Sequence, residues 1–452
     1  MKGFFILLLL SLFLLVPLLL GMTSSTKMVS TRVKNPFITI ETEPDLKINE
    51  GYLSQEEETI LINNGKKTIA EIHLSEPVLV AQAEQDEAWG YYQFPGIGKT
   101  ENGILRITWQ MKDDSHTTYG EESKRKNTPM ISKDGGETWM SQDKNYSVEV
   151  RGYNIRMKNG VKLQVRTPTA KDIKTYNKFP EPVGKRKNYT YYKEDQMPEE
   201  LRGVYFVHTD KDNRTSSIHA QLNDPGLLRY SVDGMAPVVW WGNIKELADG
   251  SLIAGVYPTN YLNEEGTVSE DGVSFYHSND EGYTWDVVSR IIIKDDIVNI
   301  RNNISFTEPT FEILPDSTFI CVMRSGAYSP LYRVFSYDRG KTWTRPEAFT
   351  PNGVKPKLMT LLNGTLVLVS GRPGIQLRLS FDGGHAWTEA IDMIPFMNED
   401  GTFDRHVSCG YPSIIEAGDN SLYLVYSDFT TKDKSGDIRK SIWFRKVDIK
   451  KE

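Results

Sequence analysis

An all-β fold, a six-bladed β-propeller, is what this sequence predicts, and three observations carry the prediction. An eight-residue turn pattern recurs four times, tight-turn hairpins recur six times out of step with it, and no stretch of useful length has the helical period. The turns read Ser132-Lys133-Asp134-Gly135-Gly136-Glu137-Thr138-Trp139, with copies at 278–285, 336–343 and 380–387. Their shared form is Ser-x-Asp-x-Gly-x-Thr-Trp, and Ala386 in place of Thr is the one lapse. Ser and Asp oxygens fold back onto nearby backbone N–H groups, Gly supplies a positive φ, and Thr-Trp opens the next strand.

The hairpins lie between these turns. They are Phe94–Thr108 turning at Asn102-Gly103, Ile155–Val165 at Asn159-Gly160, Ile244–Val256 at Asp249-Gly250, Thr310–Met323 at Asp316-Ser317, Leu358–Val369 at Asn363-Gly364, and Ser413–Tyr426 near Asp419-Asn420. Asn-Gly or Asp-Gly between apolar alternations is the strongest short hairpin signal. A four-stranded unit of this kind cannot bury both faces alone, and six arranged radially cover one another. The second unit lacks the eight-residue turn and carries a polar insertion, 167–201, read as a surface loop. Ser441–Val447 is expected to pair with Ile72–Ala81 and close the ring. The propeller thus spans 68–452, behind a polar tether at 25–67.

Residues 1–24 stand apart. Lys2 precedes an apolar run from Phe4 to Leu20, the pattern of an export signal or an N-terminal membrane anchor. The folded part is therefore expected outside the cytoplasm, either released or tethered to a membrane. The sequons at Asn145, Asn188 and Asn303 matter only where exported chains are glycosylated. A net charge of −7, with both signs mixed along the chain, offers no basic face for nucleic acid. Two cysteines, Cys321 and Cys409, cannot make a disulfide framework and read as buried thiols. No His/Cys cluster has zinc spacing and no acidic loop has calcium order, so neither a metal nor another cofactor is expected.

Ser-x-Asp-x-Gly-x-Thr-Trp turns on six blades resemble the sialidase (neuraminidase) superfamily, where they are the Asp-box or BNR repeats. The turns are structural there, so the site has to be sought elsewhere. The resemblance implies a Glu followed sixteen residues on by an Arg across an inner hairpin, and Glu308 and Arg324 have that spacing. It implies a further Arg ahead of a turn motif, matched by Arg372 in Gly371-Arg372-Pro373-Gly374, and a Tyr opening the last blade, matched by Tyr411 in Gly410-Tyr411-Pro412-Ser413. A sialic acid carries a carboxylate on its anomeric carbon, which repels a carboxylate nucleophile; a neutral Tyr hydroxyl serves instead. Tyr411 is then the nucleophile, Glu308 its base, and Arg324 with Arg372 a fork matched to the sugar carboxylate.

Two departures stand beside these matches. Gln93, in Tyr92-Gln93-Phe94-Pro95, stands where the superfamily's first Arg is expected, and loss of a charge-assisted pair costs about 1.5–3 kcal/mol of carboxylate binding. Thr118-Tyr119-Gly120 falls where an acid/base Asp is expected; Asp113, Asp114 and His116 lie close enough to donate the proton instead. His406 and Trp241 are candidates to line the cleft and stack on a sugar. Each has a plainer reading: an ion pair for Glu308 and Arg324, a solvated loop for His116, core packing for Trp241. Three functions stay open. The chain is a sialidase-like exo-glycosidase acting as a monomer on a terminal acidic sugar, a uronic-acid glycosidase or polysaccharide lyase on the same scaffold, or a glycan-binding propeller without catalysis.

Overall fold

A computed structural model describes residues 39–42, 57–64, 67–100, 102–119, 121, 125, 128–142, 154–236, 240–292, 305–326, 329–372, 374–394 and 410–452, with backbone alone at 39–42 and 240–242. Residues 1–24, His406 and Cys409 lie outside the described residues. Among the described residues the helical segments are short 3-10 turns, and no helix is long and apolar enough to cross a membrane. Everything else that is regular is strand.

The strands group into six four-stranded antiparallel blades. Blade 1 is Tyr91–Lys99, Leu105–Met111, Met130–Ser132 and Met140–Ser141. Blade 2 is Ile155–Arg156, Lys162–Arg166, Val204–Thr209 and Thr215–Asn223. Blade 3 runs Trp240–Glu246, Leu252–Thr259, Gly272–Ser278 and Thr284–Ile291. Blade 4 is Thr307–Ile313, Phe319–Arg324, Leu331–Ser336 and Glu347–Ala348, and blade 5 is Val354–Thr360, Leu366–Gly371, Ile375–Ser380 and Ile391–Asp392. Blade 6 takes Pro412–Gly418, Ser421–Lys432 and Ile438–Lys451 from the C-terminal end and Val78–Gln82 from the N-terminal side. Ile438–Lys451 also pairs with Lys67–Leu74, so the expected joining of the two ends is present, and it extends two strands further, to Glu58–Asn64 and Thr39–Thr42, so that part of the stretch expected to be a polar tether is sheet.

The apolar clusters explain why the blades stack. One contains Leu163 and Phe206 of blade 2 with Ala254 and Trp285 of blade 3. Others join Phe275 to Phe311 and Phe319, Ile320 to Leu366 and Leu368, Val369 and Leu377 to Leu422 and Leu424, and Phe444 to Leu105 and Ile107. Each spans adjacent blades, so each blade buries a face only because a neighbour covers it.

The eight-residue turns are built alike. Ser donates to Asp at 2.7–2.8 Å and accepts the N–H of the Gly four residues on at 2.8–2.9 Å. The Asp also accepts the N–H four residues on at 2.8–3.0 Å. Ala386 keeps this backbone bond, which is why the missing hydroxyl is tolerated. The Trp then enters the preceding blade: Trp139 lies against Phe444, Trp285 against Phe206, and Trp343 against Phe275, with ring centroids 5.2, 6.0 and 4.4 Å apart.

The insertion in blade 2 is a correction. Much of 167–201 is not a surface loop but part of a five-stranded sheet, in which Lys171–Asp172, Gly184–Arg186 and Tyr189–Lys193 join Leu228–Val232 and Met235–Ala236. Tyr191 and Tyr192 pack on opposite sides, one with Leu228 and Tyr230, the other with Met197, Leu201 and Ala236. The Lys, Pro and Glu content suggested a loop, but tyrosines supply enough apolar area to hold a small sheet together.

Candidate functional site

The inner strands of neighbouring blades touch, those of blades 3 and 4, 4 and 5, 5 and 6, and 6 and 1 in turn. Four of them carry a proline near their start: Pro95, Pro309, Pro356 and Pro412. In blades 1, 4 and 5 the residue before it, Phe94, Glu308 or Lys355, has a positive φ of 50°, 49° or 48°. The pairing register slips at the same place, between Gln93 and Gly96, Thr307 and Thr310, and Val354 and Lys357. Proline offers no N–H to the ladder and a bulge re-aims the side chain beside it. These positions cost backbone strain, of order 1–3 kcal/mol each, and such strain collects at functional sites.

Glu308 anchors one side. Its Oε1 accepts from Arg324 Nη1 at 3.1 Å and its Oε2 from the Lys355 backbone N–H at 2.7 Å. Burial pushes the carboxyl pKa up, but Arg324 and Lys355 outweigh it and the net movement is downward, so Glu308 is charged at neutral pH. The Arg324 guanidinium also donates through Nε to the Gly326 carbonyl at 3.0 Å. Side-chain exposures of 14 % for Glu308 and 21 % for Arg324 leave this buried pair open to solvent, as in the lining of a cleft.

On the other side, Arg372 Nη2 donates to the Tyr411 hydroxyl at 3.1 Å, and both residues are buried. The Tyr411 ring lies among Val354, Phe429 and Phe94, with its centroid 4.5 Å from that of Phe94. Val354 precedes Lys355, so blade 5 links the phenol to Glu308. Phe429 meets Trp89 edge-on at 6.3 Å, and the Trp89 indole N–H donates to Asp114 Oδ2 at 3.3 Å. Burial raises the Asp114 pKa, against the opposing pull of Trp89 and of Lys355. A run of contacts therefore connects Arg324, Glu308, Tyr411 and Asp114 across blades 4, 5, 6 and 1.

The remaining expected residues sit as follows. Asp113 is exposed and its carbonyl takes the Thr118 hydroxyl at 2.8 Å. His116 approaches Asp233, beside the five-stranded sheet, at 3.5 Å. Of the three acid/base candidates, Asp114 is the one tied to the residues around Tyr411. Gln93 is fully buried; its Oε1 accepts the Gly90 N–H at 2.6 Å, and its Nε2 has no hydrogen-bond partner among the described residues. Trp241 lies in the first strand of blade 3, described by backbone alone. Among the described residues no group of His, Cys, Asp and Glu could hold a metal.

Sequence reasoning missed Lys355, Lys357, Tyr257 and Trp89. Tyr257 and Glu308 together hold the Lys355 ammonium above the ordinary lysine range despite burial. Burial, with Lys355 nearby, pushes Lys357 down to about 8. The recurrent residue-proline pair at the start of the inner strands is the signal that would have found Lys355. Arg324, Lys355 and Arg372 set against Glu308 and Asp114 make this a cationic site, suited to an anion.

Residues 228–424 match the BNR repeat-like domain family. No curated protein sequence matches the chain. A solved structure of a protein of unknown function from Dyadobacter fermentans DSM 18053 is similar with a TM-score of 0.55 and 18% identity, covering 84% of this chain and 99% of that one. A Hadza microbial sialidase has a TM-score of 0.46 at 15% identity, covering 86% and 73%, and a Penicillium chrysogenum alpha-L-arabinanase 0.45 at 16%, covering 82% and 98%. At 18% identity the likeness to the Dyadobacter fermentans structure is one of fold. The BNR repeat-like match runs across blades 3 to 6, and three of the four Asp-box turns, those at 278–285, 336–343 and 380–387, fall inside it.

Proposed function

We infer that this protein is an exo-glycosidase that removes a terminal acidic sugar from glycans outside the cytoplasm. The observation that carries the reading is the hydrogen bond from Arg372 to the Tyr411 hydroxyl, with an ionised Glu308 linked to the Tyr411 ring through Lys355 and Val354 of blade 5. Tyr411 would attack the anomeric carbon, where a neutral phenol meets no repulsion from the substrate's own carboxylate. Glu308 would take the phenolic proton, since each of its oxygens has a second lone pair beyond the bonds it already accepts. Arg372 would stabilise the developing phenolate and, with Arg324, hold the sugar carboxylate. Asp114, whose pKa burial raises, would protonate the leaving oxygen and later activate water.

The test uses methylumbelliferyl glycosides of N-acetylneuraminic acid and glucuronic acid on wild type and Tyr411→Phe. The wild type should release fluorophore from one of them, and the variant should lose at least roughly 10³-fold in kcat/KM. Equal turnover in both would remove Tyr411 as nucleophile. An ultraviolet-absorbing unsaturated sugar as product would replace hydrolysis by elimination. Retention of an acidic glycan without any product would leave a binding protein.

A further inference from the structure

We propose that Lys355 is a substrate-binding residue and supplies the cation of the anion clamp that blade 1, with Gln93, does not. The proposal rests on the reading of an acidic-sugar substrate and names the group that selects it.

Position comes first. Lys355 stands in blade 5 where Glu308 stands in blade 4 and Phe94 in blade 1: before the proline, at a left-handed φ, where the register slips. Its backbone N–H binds the Glu308 carboxylate, and Val354 before it packs on the Tyr411 ring. The residue is thus fixed between the two groups assigned to the chemistry. A bulge that turns a lysine toward such a pair, rather than outward to water, is costly unless the ammonium is used there.

Charge comes second. The titratable groups that act on Lys355 are Tyr257, Glu308, Arg324, Lys357 and Asp114. Glu308 pairs with Arg324 at 3.1 Å and takes only the backbone N–H of Lys355, so the Lys355 ammonium is a positive charge beyond that ion pair. Arg324 is further engaged by the Gly326 carbonyl. The Lys355 ammonium has three donors and lies near the Tyr257 hydroxyl. Surplus charge beside the phenol matches one ligand chemistry, a carboxylate on the sugar that the phenol attacks.

Isothermal titration of wild type, Lys355→Gln and Lys355→Arg with free N-acetylneuraminic acid, free glucuronic acid and neutral N-acetylmannosamine tests this, alongside turnover of the fluorogenic glycosides. One acid should bind the wild type, with affinity falling as salt rises. Lys355→Gln should weaken that binding about 10- to 150-fold and Lys355→Arg should restore most of it, with the neutral sugar unaffected. Lys355→Met repeats the measurement if the Gln variant does not fold by circular dichroism. Undiminished acid binding in the uncharged variants overturns the proposal, as does a wild type that binds neither acid. Failure of the hydrolase reading looks different: the acid binds and Lys355→Gln weakens it, yet no glycoside is cleaved.

Discussion

Replacing Asp114 by Asn removes a proton donor while keeping its shape. Burial raises the Asp114 pKa, and the Trp89 N–H and the charge of Lys355 limit the rise. A raised pKa keeps the acid protonated to higher pH, so a reaction that needs it loses rate as pH climbs through that value. General acid catalysis contributes roughly 10²–10⁴-fold, or about 3–5 kcal/mol of barrier. The loss should depend on the leaving group. Methylumbelliferone departs as a stabilised anion with little need of a proton, whereas a sugar alkoxide cannot. The Asn variant should therefore lose about 10²–10⁴-fold in kcat/KM on a disaccharide and far less on the fluorogenic glycoside, with its basic limb flattened. Trp89→Phe removes a donor that favours the ionised form, so the same limb should move to higher pH. Folding gives the control. Because the folded-state pKa lies above the unfolded one, ionisation opposes folding as pH rises through that window, and Asn cannot ionise. The variant should be at least as stable as wild type at neutral pH. Equal losses on both substrates, or an unchanged basic limb, would refute the assignment.

Two further predictions concern the scaffold. Gly136 has φ +105°, and a Cβ there would lie 2.1 Å from Phe444 Cε1, whereas Gly364, at φ +79°, has nothing within 4 Å. Gly136→Ala should cost roughly 2–5 kcal/mol and Gly364→Ala about 1–2, read as urea midpoints; equal costs would mean that the blade contact is unimportant. Hydrogen bonds from the Thr342 hydroxyl and N–H, then Ser336, pull the Asp338 pKa down to about 2. A depressed carboxylate stabilises above its unfolded pKa and loses that contribution as pH falls through the folded value. Asp338→Asn should thus unfold at lower urea than wild type at pH 7, and the gap should narrow at pH 2.5. A gap that stays constant with pH would discard the charge as its source.

The sequence alone determined the blades. Turn chemistry is local: Ser, Asp, Gly and Thr within eight residues satisfy each other's donors and acceptors, and Asn-Gly between apolar alternations fixes a hairpin without help from distant chain. The joining of the last strand to the N-terminal side was legible from the architecture, because a ring of blades has to close. Lys171–Asp172 and Tyr189–Lys193 were not, because their partners, 228–236, lie beyond two strands of blade 2 and the pairing is non-local. The site divides in the same way. Glu308, Arg324, Arg372 and Tyr411 could be named from spacing against a known family. Tertiary structure alone chose Asp114 over Asp113 and His116 as the residue joined to the Tyr411 cluster, through Trp89 and Phe429. It also brought Lys355 onto Glu308 from a different blade. Sequence spacing orders residues along one strand, but the field at a cleft is summed over strands from several blades, and only packing decides which charges share it.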